Sequence, residues 1–127
     1  MKYLTTTGRL LFAIPFGIFG LNHFFMYNYY LGLVSSFIPG GGYTVIITGI
    51  ALIAASISII AKKYIQISCL LLALMLLVFI LTIHVPGLFT GDANKETIAF
   101  IELLKDTALM GGSLLIAGIY RENKEKG

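Results

Sequence analysis

The stretch YIQISCLLLALMLLVFILTIHV, residues 64–85, runs for 22 residues without an Asp, Glu, Lys or Arg. An α-helix rises about 1.5 Å per residue, so this run covers the roughly 30 Å of a bilayer's hydrocarbon core. It ends at Ile83-His84-Val85-Pro86-Gly87, where proline and glycine stop a helix. Working outward, three more stretches have the same character, near Gly8 to Met26, Tyr43 to Ala61 and Ile98 to Tyr120. Little chain is left outside these four segments. The expectation is a single all-α domain, residues 1–127, folded as a polytopic membrane four-helix bundle, with no extramembrane module to hold independent chemistry.

The composition agrees. The chain has 127 residues, 57% hydrophobic and 12% charged, with a mean hydropathy of +0.91, too apolar for a water-soluble domain of this length. Its net charge of +3 matters less than the distribution of that charge. Lys2 and Arg9 precede helix 1, Lys62 and Lys63 form the turn between helices 2 and 3, and Arg121, Lys124 and Lys126 follow helix 4. All of these fall on one side of the expected membrane, with Lys95 alone opposite them. The positive-inside rule then puts both termini in the cytoplasm, and the chain in the inner membrane. Charge spread in this way does not support nucleic-acid binding. A basic residue ahead of an apolar run resembles a signal peptide, but no small-x-small cleavage site follows Phe19 to Phe25, so helix 1 is expected to stay as a signal anchor. Cys69 is the only cysteine, which excludes an internal disulfide and multi-cysteine metal sites.

Helix 1 carries Pro15, expected to bend it, and Gly17 and Gly20, which let another helix approach closely. Residues 27–42 read YNYYLGLVSSFIPGGG, an uncharged, aromatic outward loop suited to the membrane interface. Helix 2 is rich in Thr, Gly, Ala and Ser, as packing helices in membranes are. In the loop before helix 4, Asn94 and Thr97 are candidate caps.

The polar residues are few. Within FGIFGLNHFFMYNYY, residues 16–30, Asn22 and His23 replace expected oily side chains. In helix 4, Glu102, Lys105 and Asp106 share one face at i, i+3 and i+4. With Arg9, Tyr64 and Arg121 as inner-boundary markers, His23 lies roughly 9 Å below the outer surface, Asp106 roughly 7 to 8 Å, and Glu102 and His84 near it. A charge at the bilayer centre costs about 2.5 to 3.5 kcal/mol on insertion scales, so these groups should turn inward and pair. One lysine cannot neutralise two carboxylates, and a proton shared between His23 and Asp106 would balance the set. His23, Lys105 and Asp106 are thus candidates for the wall of an outward-opening polar pocket, with Asn22, His84 and Glu102 at its mouth and Tyr27 to Tyr30 as an aromatic rim. The competing reading is a structural clasp that fixes helix register.

Two histidines invite haem, but His23 and His84 differ in estimated depth by roughly 9 Å, which argues against that cofactor. His23, His84, Glu102 and Asp106 include metal-ligating types, yet no local spacing motif joins them, and the sequence assigns no metal. Ser56, Ser58 and Ser113 have no histidine placed to activate them. No self-sufficient catalytic motif is present, and whether the chain is an enzyme stays open.

The runs RLLFAIPFGIFGLNHF (9–24), Thr48-Gly49 and KDTALMGGSLLIAG (105–118), together with the proline-bearing outward loop, resemble the DoxX-like family of small membrane proteins. The resemblance implies a four-helix membrane bundle associated with redox enzymes, since the family name comes from a small subunit linked to a quinol oxidase and thiosulfate:quinone oxidoreductase system. It therefore implies a membrane or redox protein partner and a quinone as a candidate ligand; a homo-oligomer is the other assembly to consider. Family members often carry an acidic residue in helix 2 shortly after the threonine-glycine step, whereas Ile50, Ala51 and Leu52 stand here. The alternative function is a noncatalytic scaffold or assembly subunit offering the small-residue face of Ala108, Gly111, Gly112 and Gly118.

Overall fold

Four long helices account for nearly all of the structure, a computed structural model that describes the backbone of residues 2–28 and 42–126 and the side chains of 3–28 and 42–120. The outward loop expected at 27–42, with Tyr29 and Tyr30 of the aromatic rim, lies almost wholly outside the described residues. So do the side chains of Arg121, Lys124 and Lys126.

Helix α1 (Lys2–Phe25) starts before the expected Gly8 and keeps Pro15 inside it. Helix α2 (Gly42–Ala61) ends in a reversal three residues long. There the Lys62 amide donates to the Ile59 carbonyl at 3.4 Å and the Lys63 amide to the Ser58 carbonyl at 3.0 Å. These paired bonds turn the chain out of a helix through one left-handed residue, here Lys62 at φ 60°. Tyr64, at φ 58°, repeats the left-handed turn. Helix α3 (Ile65–Phe79) follows at once, so α2 and α3 are antiparallel neighbours.

Helix α3 continues through a π-helical turn, Ile80–His84, and a last helical turn, Val85–Gly87. The widened turn comes just ahead of Pro86, which has no N–H and whose ring would crowd the carbonyl four residues back. Helix α4 (Ala93–Lys126) begins five residues before the expected Ile98, and its cap is Asp92 rather than Asn94 or Thr97. Asp92 Oδ1 accepts from the Asn94 amide at 2.9 Å and the Lys95 amide at 3.4 Å, while Glu96 reaches back to the Gly91 amide at 2.9 Å. An acid at the cap and another in the first turn satisfy the free N–H groups there.

Helices α1 and α2 pack along their length, as do α3 and α4, and residues of all four meet in one core that includes Phe16, Leu52, Ile59, Leu72 and Ala117. The α1–α2 contact is close because of small residues. A Cβ on Gly20 would stand 2.7 Å from the Gly49 carbonyl oxygen, and one on Gly17 would stand 2.8 Å from Ser56 Oγ. Ser56 Oγ itself donates to the Ala13 carbonyl at 2.8 Å. On the α3–α4 side, buried Ser113 Oγ donates to the Cys69 carbonyl at 2.6 Å.

Among the described residues, three helical segments are long and apolar enough to cross a membrane: Tyr3–Phe25, Gly42–Ala61 and Ile65–Gly87. Large apolar side chains such as Ile47, Leu71 and Leu81 face outward, an arrangement suited to a lipid bilayer.

Replacing Gly20 by Ala should separate α1 from α2 and cost about 1–3 kcal/mol, as overpacking does. Gly111→Ala and Gly118→Ala, where an added Cβ meets nothing within 4 Å, should be neutral or mildly stabilising. Unfolding of each variant in detergent by denaturant measures the difference.

Candidate functional site

The polar residues resolve into two groups on different helix pairs. In the first, His23 is buried at the α1–α2 contact, where its Cβ would be 2.9 Å from a Cβ on Gly49. Its Nδ1 lies 2.7 Å from the Phe19 carbonyl one turn earlier. A carbonyl only accepts, so Nδ1 carries a proton. Asn22 beside it is half-buried.

The second group joins α3 to α4. His84 Nε2 stands 2.6 Å from Asp106 Oδ2, and each side chain is 14% exposed. One turn along α4, Glu102 Oε1 accepts from Lys105 Nζ at 3.3 Å, with Lys105 63% and Glu102 41% exposed. One ligand-type atom from each of His84, Glu102 and Asp106 can be chosen so that all three lie within 4.8 Å of one another.

This corrects the expected pairing, because the partner of Asp106 is His84 and not His23. Depth estimated from backbone position separated His84 from Asp106 by about a turn and a half. In an α-helix every Cα–Cβ bond leans toward the N-terminus. On antiparallel helices the two side chains therefore lean toward each other, His84 back along α3 and Asp106 up along α4. The π turn that ends at His84 adds to the effect by shortening the rise of α3. Lys105 is also not an inward wall, since it projects outward to pair with Glu102.

Arg9 has a role that its sequence position did not reveal. It is buried, and its Nη1 donates to the Ile59 carbonyl at 2.6 Å and the Ile60 carbonyl at 2.9 Å. These are carbonyls of the last turn of α2, which lack a partner amide four residues on, the Ile59 oxygen taking only the long bond from Lys62 besides. The available signal was a cation following helix 1's first residues, opposite the Lys62-Lys63 turn. Arg9 thus lies at the Lys62 end of the molecule, as does Tyr120, which lines one cleft with Arg9 and another with Lys62 and Tyr64.

Compared with known proteins, the chain matches no family model, no curated protein and no solved structure.

The two groups should behave independently. Asp106→Asn and His84→Ala should each cost about 1.5–3 kcal/mol, the range for a hydrogen bond to a charged group, and should be strongly non-additive together. Asp106→Asn and His23→Ala should be additive. A double-mutant cycle on unfolding free energy distinguishes the pairs, and coupling of His23 to Asp106 would refute the arrangement.

Proposed function

We propose that the chain is a DoxX-like integral membrane protein, a four-helix bundle with all four helices in the bilayer, serving as a small subunit or accessory of a quinone-linked redox or envelope system. Both termini are cytoplasmic in this reading, and the membrane is the inner one. Arg9, Lys62 and Lys63 share one end of the fold, which supports that orientation through the positive-inside rule. The His84–Asp106 pair then lies toward the outer side.

The observation that carries the functional reading is this pair, mostly buried between the apolar α3 and the more polar α4, with a second carboxylate and a lysine alongside. Ionisable groups in an apolar helix cost several kcal/mol to place, and a purely structural clasp needs only one pair. Glu102 and Lys105 leave an acceptor and a donor at the mouth of the site, able to bind the polar end of a small amphiphile such as a quinone. His84 and Asp106 can pass a proton between them and to such a ligand. None of these side chains carries electrons, so a redox step needs a bound cofactor or a partner protein. His23 and Asn22, on the other helix pair, are expected to hold α1 in place.

A scaffold role has its own support. Ala108, Gly111 and Gly118 are exposed on α4, and an added Cβ on either glycine meets open space, whereas Gly112 faces Phe12 at 3.5 Å. Such a small-residue face admits another membrane helix.

Native mass spectrometry of the protein released gently from its own membrane separates the two. A stoichiometric small amphiphile, lost in Asp106→Asn but kept in His23→Ala, is the result expected of the polar site. A defined protein partner with no small ligand would instead assign the chain to the scaffold class.

A further inference from the structure

We propose that His84, Glu102 and Asp106 form a binding site for a divalent transition-metal ion such as Zn²⁺, Fe²⁺ or Mn²⁺. The proposal rests on the polar-site reading above and adds an ion to that site, whose open coordination position faces the amphiphile.

The donor set is mixed rather than acidic alone. One imidazole nitrogen comes from the end of the π turn, and two carboxylates come from successive turns of α4 at i and i+4. An imidazole with two carboxylates suits borderline divalent ions better than Mg²⁺ or Ca²⁺, which prefer all-oxygen shells. The spacing is close to what an ion requires. Ligand atoms about 2.0–2.1 Å from Zn²⁺ stand about 3.3–3.4 Å apart in a tetrahedral site. The three atoms already lie within 4.8 Å of one another, and the His84–Asp106 pair, at 2.6 Å, has only to open slightly to admit the ion in place of its proton.

The surroundings oppose loading very little. Lys105 is the competing cation on Glu102, but it is 63% exposed and its long side chain can extend toward the nearby outer interface instead. A dication would balance both carboxylates and leave His84 neutral, the form in which imidazole is a ligand. Three protein ligands leave a coordination position open, so the site has the form of a reactive or exchangeable centre rather than a closed structural one.

The test uses the full-length protein in lipid nanodiscs, stripped with a chelator and titrated with Co²⁺ and then Zn²⁺ as the only probes. Wild type should take up one equivalent of Co²⁺, develop visible d–d absorption, and lose it to Zn²⁺. Glu102→Gln should weaken uptake by more than about tenfold, since a lost ligand exceeds the loss of an outer-shell partner. Because Glu102 is 41% exposed and does not hold His84, this variant should keep the metal-free melting temperature, and only the metal-induced rise should vanish. Absence of saturable uptake in wild type, or uptake unchanged in Glu102→Gln and His84→Ala, overturns the ion site. If uptake is absent while an amphiphile is still lost in Asp106→Asn, the ion proposal alone fails. Absence of both results defeats the polar-site reading as well.

Discussion

A polar group placed among apolar helices has to find its partner inside the protein, and much of this structure follows from that constraint. Water is not available to a carbonyl or a hydroxyl surrounded by leucine and lipid, and an unmet group there costs several kcal/mol. Most interior polar side chains accordingly tie one helix to another, while His23 bonds the Phe19 carbonyl of its own helix. Arg9 closes the last carbonyls of α2, Ser56 fastens α2 to the Ala13 carbonyl of α1, and Ser113 fastens α4 to the Cys69 carbonyl of α3. His84 and Asp106 do the same for α3 and α4 near the other end of the molecule. Apolar contacts alone give little orientation in lipid, because a leucine is nearly as well solvated by acyl chains as by another leucine. The polar ties and the glycine contacts therefore select the register that the oily surfaces would leave loose.

The helices themselves were legible from the order of residues. An uncharged run bounded by Lys62-Lys63 and by Pro86-Gly87 admits almost no other reading, and the limits of α2, and of α3 with its continuation to Gly87, fall within about two residues of those expected. The start of α4 was misplaced because the apolar run was taken to begin the helix, whereas Asp92 and Glu96 supply the stronger terminal signal. The small-residue character of α2 correctly marked a packing face, and the structure places close contacts with α1 at Gly49 against Gly20 and at Ser56 against Gly17.

The candidate site was half legible. The polar residues could be picked out, because ionisable side chains in an apolar chain are conspicuous, but His23 and Asn22, expected in the same site, lie on the other helix pair. The pairing of His84 with Asp106 could not be read, since it depends on side-chain lean and on one widened turn, neither of which has a spacing signature. A straight helix at a fixed rise puts His84 near the boundary and leaves His23 as the nearest imidazole to Asp106. The π turn and the antiparallel lean reverse that choice. The same geometry brings Glu102 into the group, so a triad of ligand-type atoms arises from residues that are 18 or more positions apart between His84 and α4.

The central claim is that Asp106 belongs to His84 and that His23 belongs to the other helix pair. Nitrogen NMR of protein labelled with ¹⁵N-histidine in nanodiscs tests it most directly, by comparing wild type with Asp106→Asn. The His84 ring resonances should move with the loss of the carboxylate, and those of His23 should stay where they are. Movement of the His23 resonances with His84 unchanged would contradict the account and restore the pairing that helix depth alone suggests.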